Sequence, residues 1–266
     1  MSDRVTVEYE NQIAHVALNR PHKRNALDLD MLEAIAEAGD SLKNRSGIRA
    51  VILSGAGDAF CAGLDVATFP KLMEYVAENG SICTRSHANC NLFQYASMVW
   101  DSLPMPVIAA VHGYALGAGF QIISGADMRI AAPDTRFSIM ESKWGLVPDM
   151  GGIALWKQYL RGDVLRRMTY TGEIIDTDMA FNWGVITEIA QDPLARARHI
   201  AEDIASRSPD ATREAKAMIK AAQNLSEDAT LLLESEVQER LIGSPNQMEA
   251  VMAGFEKRAP KFKDPS

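Results

Sequence analysis

The sequence predicts an α/β fold with a largely parallel sheet, followed by a helical C-terminal quarter. Three observations carry this expectation. Short apolar runs at 49–54, 107–111 and 128–131 have the length and composition of buried strands. Helical spacing or glycine-led helix starts fall between them, so strand–helix–strand crossovers and parallel pairing follow. From Leu194 onward no strand-like run occurs.

Taken in order, VTVEYENQIAHVAL reads as two strands around a turn at residues 10–12, with Val5, Val7 and Tyr9 alternating, as do Ala14, Val16 and Leu18. Pro21 closes this region. Residues 28–43 have helical spacing, with Met31, Leu32, Ile35 and Ala36 on one face. The strand at 49–54 runs into a loop of small residues, the strand at 107–111 into glycines and a helix from about Ala118, and a third strand covers 128–131. Helices are expected at about 195–206, 209–223, 227–242 and 246–258. Ser208-Pro209 and Ser244-Pro245 supply an N-cap with proline at the first helical position, Ser226 a further cap, and Gly243 a stop. Leu231, Leu232 and Leu233 span too wide an arc for one buried stripe, which fits a helical region packing on another subunit.

Composition narrows the function classes. The 266 residues carry a net charge of −8, a poor basis for general nucleic-acid or anionic-membrane binding. Cys61, Cys83 and Cys90 are too few and too scattered for a disulfide framework or a thiolate zinc site. The first ten residues, MSDRVTVEYE, are charged from residue 3 and lack an apolar stretch, so no secretory signal is expected. The uncharged run between Asp101 and Asp127 holds Pro104, Pro106, His112 and Gln121, which argues against a membrane span. The cytoplasm is the expected compartment. Gly55-Ala-Gly57 and Gly117-Ala-Gly119 begin like dinucleotide fingerprints but have Phe60 and Ile122 where the third glycine belongs. Phosphate-loop, HExxH and GxSxG motifs are absent, and the five histidines lack metal-ligand spacing, so no metal is expected.

Chemistry concentrates in three stretches. In SGAGDAFCAGLD (54–65) a strand ends in a loop turning at Gly63, which can aim the backbone N–H of Leu64 into a cleft. In AAVHGYALGAGFQ (109–121) Gly117 and Gly119 let a ligand approach the backbone around Ala118, at a helix N-terminus with unsatisfied N–H groups. Two such N–H groups from separate turns suit a developing oxyanion; plain tight packing is the alternative. In FSIMESKWGLVPDMGG (137–152) Glu141 and Asp149 are carboxylates in an apolar setting, able to move protons if their pKa values are raised, or to pair with Lys143.

Together these stretches resemble the crotonase, or enoyl-CoA hydratase/isomerase, superfamily. LNRPHKRNALD (18–28), AFCAGLD (59–65), AVHGYALGAGFQ (110–121), GEIIDTDMAFNWGVI (172–186) and FEKRAPKFKD (255–264) follow its order over nearly the whole chain. The resemblance implies a crotonase-like core of repeated ββα units (1–193) and a C-terminal helical trimerisation region (194–266). It implies homotrimers, often paired into hexamers, and an acyl-CoA substrate, with coenzyme A part of the thioester and no covalent cofactor. The thioester carbonyl would sit between the N–H groups of Leu64 and Ala118. CoA-binding positions would be Lys23, Arg24, Ala26, Ala62 and Asp65, with Lys257 reaching the nucleotide end from a neighbouring subunit. Glu141 matches the glutamate that moves the α-carbon proton. The second hydratase glutamate falls on Gln121, and an amide is no general base, although it can position a water. Asp149 lies where dienoyl-CoA isomerases and carnitinyl-CoA dehydratases carry a carboxylate; a turn cap is its alternative role. The implied reaction is that of an enoyl-CoA hydratase or double-bond isomerase. A specialised dehydratase, a thioester hydrolase and a non-catalytic acyl-CoA-binding paralogue are the alternatives. The acyl pocket is expected from the segment 66–95, with Met73, Tyr75, Phe93 and Tyr95 as candidates and plain packing as the equal alternative for each.

Overall fold

The computed structural model describes residues 3–78 and 80–265. Strands β1 (Val5–Glu10) and β2 (Ile13–Leu18) form an antiparallel hairpin, turning through Asn11 and Gln12 at positive φ. Strands β3 (Ala50–Gly55), β4 (Val107–Val111), β5 (Tyr114–Leu116), β6 (Met128–Ala131), β7 (Arg136–Ser138) and β8 (Glu188–Ile189) follow. The main sheet has the order β1-β2-β3-β4-β6-β8, parallel throughout except for the hairpin. A smaller parallel pair, β5 with β7, is extended by bridges from Cys61 to Ala115 and from Phe137 to Ile175. Strands β3, β4 and β6 each hand the chain to this second layer before the next helix. That handover is the ββα repeat, and it puts the ends of the second-layer segments side by side.

Helices complete the layers. α1 (Leu29–Lys43) starts where Asp28 Oδ1 accepts the N–H of Met31 at 2.9 Å. It buries Met31, Leu32, Ile35 and Leu42 and packs on α3, which follows α2 (Phe69–Glu78) and spans Leu92–Ser102. α3 opens with a reciprocal capping box between Asn91 and Gln94. α4 (Ala118–Ile123), α5 (Gly152–Trp156), α6 (Gly162–Thr171) and α7 (Thr177–Asn182) are short and surround the second layer. The core there is built on Phe60, Trp100, Phe120, Phe137 and Trp156, all fully buried.

α8 (Pro193–Ala205), α9 (Pro209–Ala222), α10 (Glu227–Leu241) and α11 (Pro245–Glu256) form the helical quarter, with Ser208, Ser226 and Ser244 capping the last three. α8 lays Ala197 and Ala201 against Ile13, Ile52, Ile108 and Ile130, so it covers the sheet face opposite the main core. The first helix after residue 193 is therefore a layer of the α/β unit. α10 and α11 leave Leu231, Leu232, Ile242 and Phe255 exposed. Among the described residues, no helix is long and apolar enough to cross a membrane.

Candidate active site

The first wall of the site is the turn after β3. Asn25, wholly buried, donates its amide to the carbonyls of Ala59 and Ala56 at 2.8 and 2.9 Å and accepts the N–H of Arg20. The loop 20–27 is laced to this turn by Ala62 N–H to Arg24 O, Leu27 N–H to Gly63 O, and Asp65 N–H to Leu27 O. Gly63 has φ +99°, and a Cβ there would lie 2.9 Å from Leu116 O and 3.9 Å from Ala118 N. The two glycine turns thus touch.

The second wall is the start of α4. Gly117, at φ +50°, donates its N–H to Ser138 O at 2.8 Å, and the helix begins at Ala118. A Cβ on Gly119 would lie 2.6 Å from Cys61 O, so only glycine lets α4 seat on the first turn. Neither the N–H of Leu64 nor that of Ala118 has an acceptor among the described residues. Both residues line the same cavity, of about 430 Å³. Burial pushes the Cys61 thiol up to about 12, which keeps it out of thiolate chemistry.

The third wall carries the acids. Glu141 opens a 3-10 turn (Glu141–Trp144), and Asp149 sits in the loop ahead of α5. A Cβ on Gly117 would stand 3.7 Å from Glu141 Oε1, which brings this carboxyl to the oxyanion turn. Gln121 Nε2 donates to Glu141 Oε1 at 2.6 Å, while Glu141 Oε2 is buried without a hydrogen-bond partner among the described residues. Burial raises the pKa of both Glu141 and Asp149, and the charge of Asp149 pushes Glu141 further the same way. The remaining cavity wall is apolar, with Val66, Phe69, Met73, Phe93, Trp144 and Val147 prominent. Such a chamber can polarise a carbonyl through backbone N–H groups and places a carboxylate beside it, among mostly apolar side chains.

Leu64, Ala118, Gln121, Glu141, Asp149 and Ala62 all come together at this cavity. Lys23 and Arg24 stand on the surface of the loop 20–27, with the Arg24 guanidinium over the Tyr114 ring at 5.4 Å. Ala26 and Asp65 meet through Arg20, whose Nη1 donates to Ala26 O at 2.9 Å and to Asp65 Oδ2 at 2.8 Å. Lys257 ends α11 in a left-handed cap, outside the cavity lining. Met73 and Phe93 line the cavity, and Tyr75 packs edge-on against Phe93. Tyr95 departs from the expectation: its hydroxyl donates to Asp40 on α1 at 2.5 Å and accepts from Lys43, so it belongs to the α1–α3 contact. Glu141 takes Gln121, rather than Lys143, as its partner. Two contributors were missed. Arg20 braces both the loop 20–27 and the Leu64 turn, and its burial leaves no mark in the sequence around it. Trp144 flanks the cavity beside Phe69, ring centroids 6.3 Å apart, and nothing in its local pattern marks it.

The two-layer ββα core with this cavity at the layer ends defines an acyl-CoA-processing enzyme of the crotonase fold. An enoyl-CoA hydratase structure from Bacillus anthracis superposes with a TM-score of 0.87 at 28% identity, covering 98% of this chain and 99% of that one. A short-chain-enoyl-CoA hydratase of Clostridium acetobutylicum is 30% identical over 96% of this chain and 95% of its own length. The mitochondrial Delta(3,5)-Delta(2,4)-dienoyl-CoA isomerase of Mus musculus is 29% identical over 95% of this chain and 79% of its own. The family model for enoyl-CoA hydratase/isomerase matches residues 8–265, and the chain belongs to that family.

Proposed function

We propose that the protein is an enoyl-CoA double-bond isomerase in which Glu141 alone carries the proton. One observation supports this above the rest. Gln121 occupies the place of the second hydratase glutamate, and its oxygen is already taken by the N–H groups of Met150 and Gly152. It is neither a base nor free to accept a hydrogen bond from an attacking water.

The chemistry follows from the walls of the cavity. The thioester carbonyl lies between Leu64 N–H and Ala118 N–H. Ionised Glu141 removes a proton from the α-carbon of a 3-enoyl thioester, and the electron pair delocalises onto the carbonyl oxygen as a dienolate. The two N–H groups stabilise that charge as it forms. Protonated Glu141 then returns the proton to the γ-carbon, and the double bond moves from C3=C4 to C2=C3. Nothing is consumed. Lys23 and Arg24 are assigned to the CoA phosphates, the backbone of Ala26 and Ala62 and the Arg20-bound Asp65 to the CoA entry, and Lys257 to the nucleotide of a neighbouring subunit. The exposed apolar residues Leu231, Leu232, Ile242 and Phe255 fit a subunit contact, assigned to a homotrimer or a pair of trimers, for which sedimentation would give three or six chain masses. A single chain mass would refute the trimer.

Hydration is the second reading, favoured by Asp149: it lines the same cavity, and its burial-raised pKa suits a base that activates water. The test of the main reading is Glu141→Gln. Turnover of a 3-enoyl-CoA should fall by about 10²–10⁴, the usual worth of one acid–base group, with acyl-CoA binding held within a few fold. Unchanged turnover would remove Glu141 from the mechanism.

A further inference from the structure

Gln121 does more than stand where an acid is missing. It projects from α4, a helix buried on all sides, and is 1% exposed. The N–H groups of Met150 and Gly152 can only donate, so the atom they reach at 2.9 and 3.1 Å is the amide oxygen. The nitrogen therefore faces Glu141 Oε1 at 2.6 Å. Gly152 permits this approach, because a Cβ there would lie 2.7 Å from Gln121 Oε1 and 2.5 Å from the Trp156 ring. The two N–H groups flank residue 151, and Asp149 immediately precedes the first of them. One carboxamide thus ties Glu141 to the loop carrying Asp149, and Glu141 keeps a single oxygen, Oε2, without a partner among the described residues.

We propose that Gln121 is a positioning residue that holds Glu141 and the Asp149 loop in one frame and, by donating an N–H to the carboxylate, assigns Glu141 the role of base. The inference rests on Glu141 being the proton-transfer group argued above. An N–H donor is satisfied by an oxygen lone pair and favours the ionised carboxylate over the protonated one. A carboxyl at residue 121 would reverse this. Two carboxyls at that separation share one proton, and Glu141 would then begin the cycle as an acid. Residue 121 therefore selects between proton abstraction and proton donation by acting through Glu141.

Gln121→Glu and Gln121→Met test this by two readouts. The first is the infrared carboxyl band of Glu141 followed against pH without substrate, assigned in each background by its loss when Glu141→Gln is added. The second is the acid limb of kcat/KM for 3-enoyl-CoA isomerisation. Gln121→Glu should move both midpoints up by about one unit or more, as like charges in contact do. Gln121→Met should move them the same way by less, and lower kcat about tenfold with KM within about twofold. Midpoints unchanged in both variants would overturn the proposal, and if Gln121→Glu fails to fold, Gln121→Met decides alone. A shifted infrared midpoint in a protein that isomerises nothing would uphold this role for Gln121 and overturn the isomerase reading instead.

Discussion

At the scale of single residues, the site trades stability for reactivity. Glu141 keeps one oxygen buried and, among the described residues, unpartnered, and burial raises its pKa above the ordinary 4.5. The folded protein therefore holds that proton to higher pH than the unfolded chain does. Between the two pKa values the folded state binds more protons, so stability falls as pH rises through this window, and the ionised carboxylate costs stability above it. Glu141→Gln removes the cost. Its melting temperature should exceed that of the wild type at neutral pH, with the gap closing below about pH 4.5, where both states of the wild type are protonated. A gap that stays constant with pH would mean that the buried charge is not its source. The same variant is expected to lose turnover, which would make the destabilising feature and the catalytic one a single oxygen atom.

At the scale of elements, geometry comes from two glycine turns that meet where the second layer ends. Gly63→Ala places a methyl 2.9 Å from Leu116 O on a backbone at φ +99°, so the turn must shift and carry the Leu64 N–H with it. Loss of one oxyanion donor typically costs ~10²–10³ in kcat, and that loss, with acyl-CoA binding retained, is the expected result. A variant with wild-type kcat would exclude the Leu64 N–H from the mechanism. Much of this was legible: strands running into glycines announce close backbone approach, and Leu64, Ala118, Glu141 and Asp149 do converge on one cavity. The strands β5, β7 and β8 were not read, because two or three residues give no periodicity. The Gln121 frame was also hidden. Its partners lie 20, 29 and 31 residues away, and two of them are backbone N–H groups that any sequence would supply. Tyr95 misled because proximity in sequence to a pocket segment says nothing about which way a helix face turns; α3 aims it at α1.

At the scale of the whole molecule, the order of elements was readable because each segment follows its own local rule. The hairpin, the buried strands and the serine-capped helices sit within a few residues of expectation. α8 closes the sheet, whereas α10 and α11 leave Leu232 60% and Phe255 81% exposed, which is the surface the proposed subunit contact would cover. The central claim, that one carboxylate shuttles one proton in a polarised thioester, is tested on the purified protein. The most direct measurement follows the conjugated-enoyl thioester absorbance of purified protein given, separately, a 3-enoyl-CoA and crotonyl-CoA. The account predicts a rise with the first and little change with the second. A rapid fall with crotonyl-CoA and no rise with the 3-enoyl-CoA would contradict it and favour the hydratase reading, with Asp149 as the candidate base.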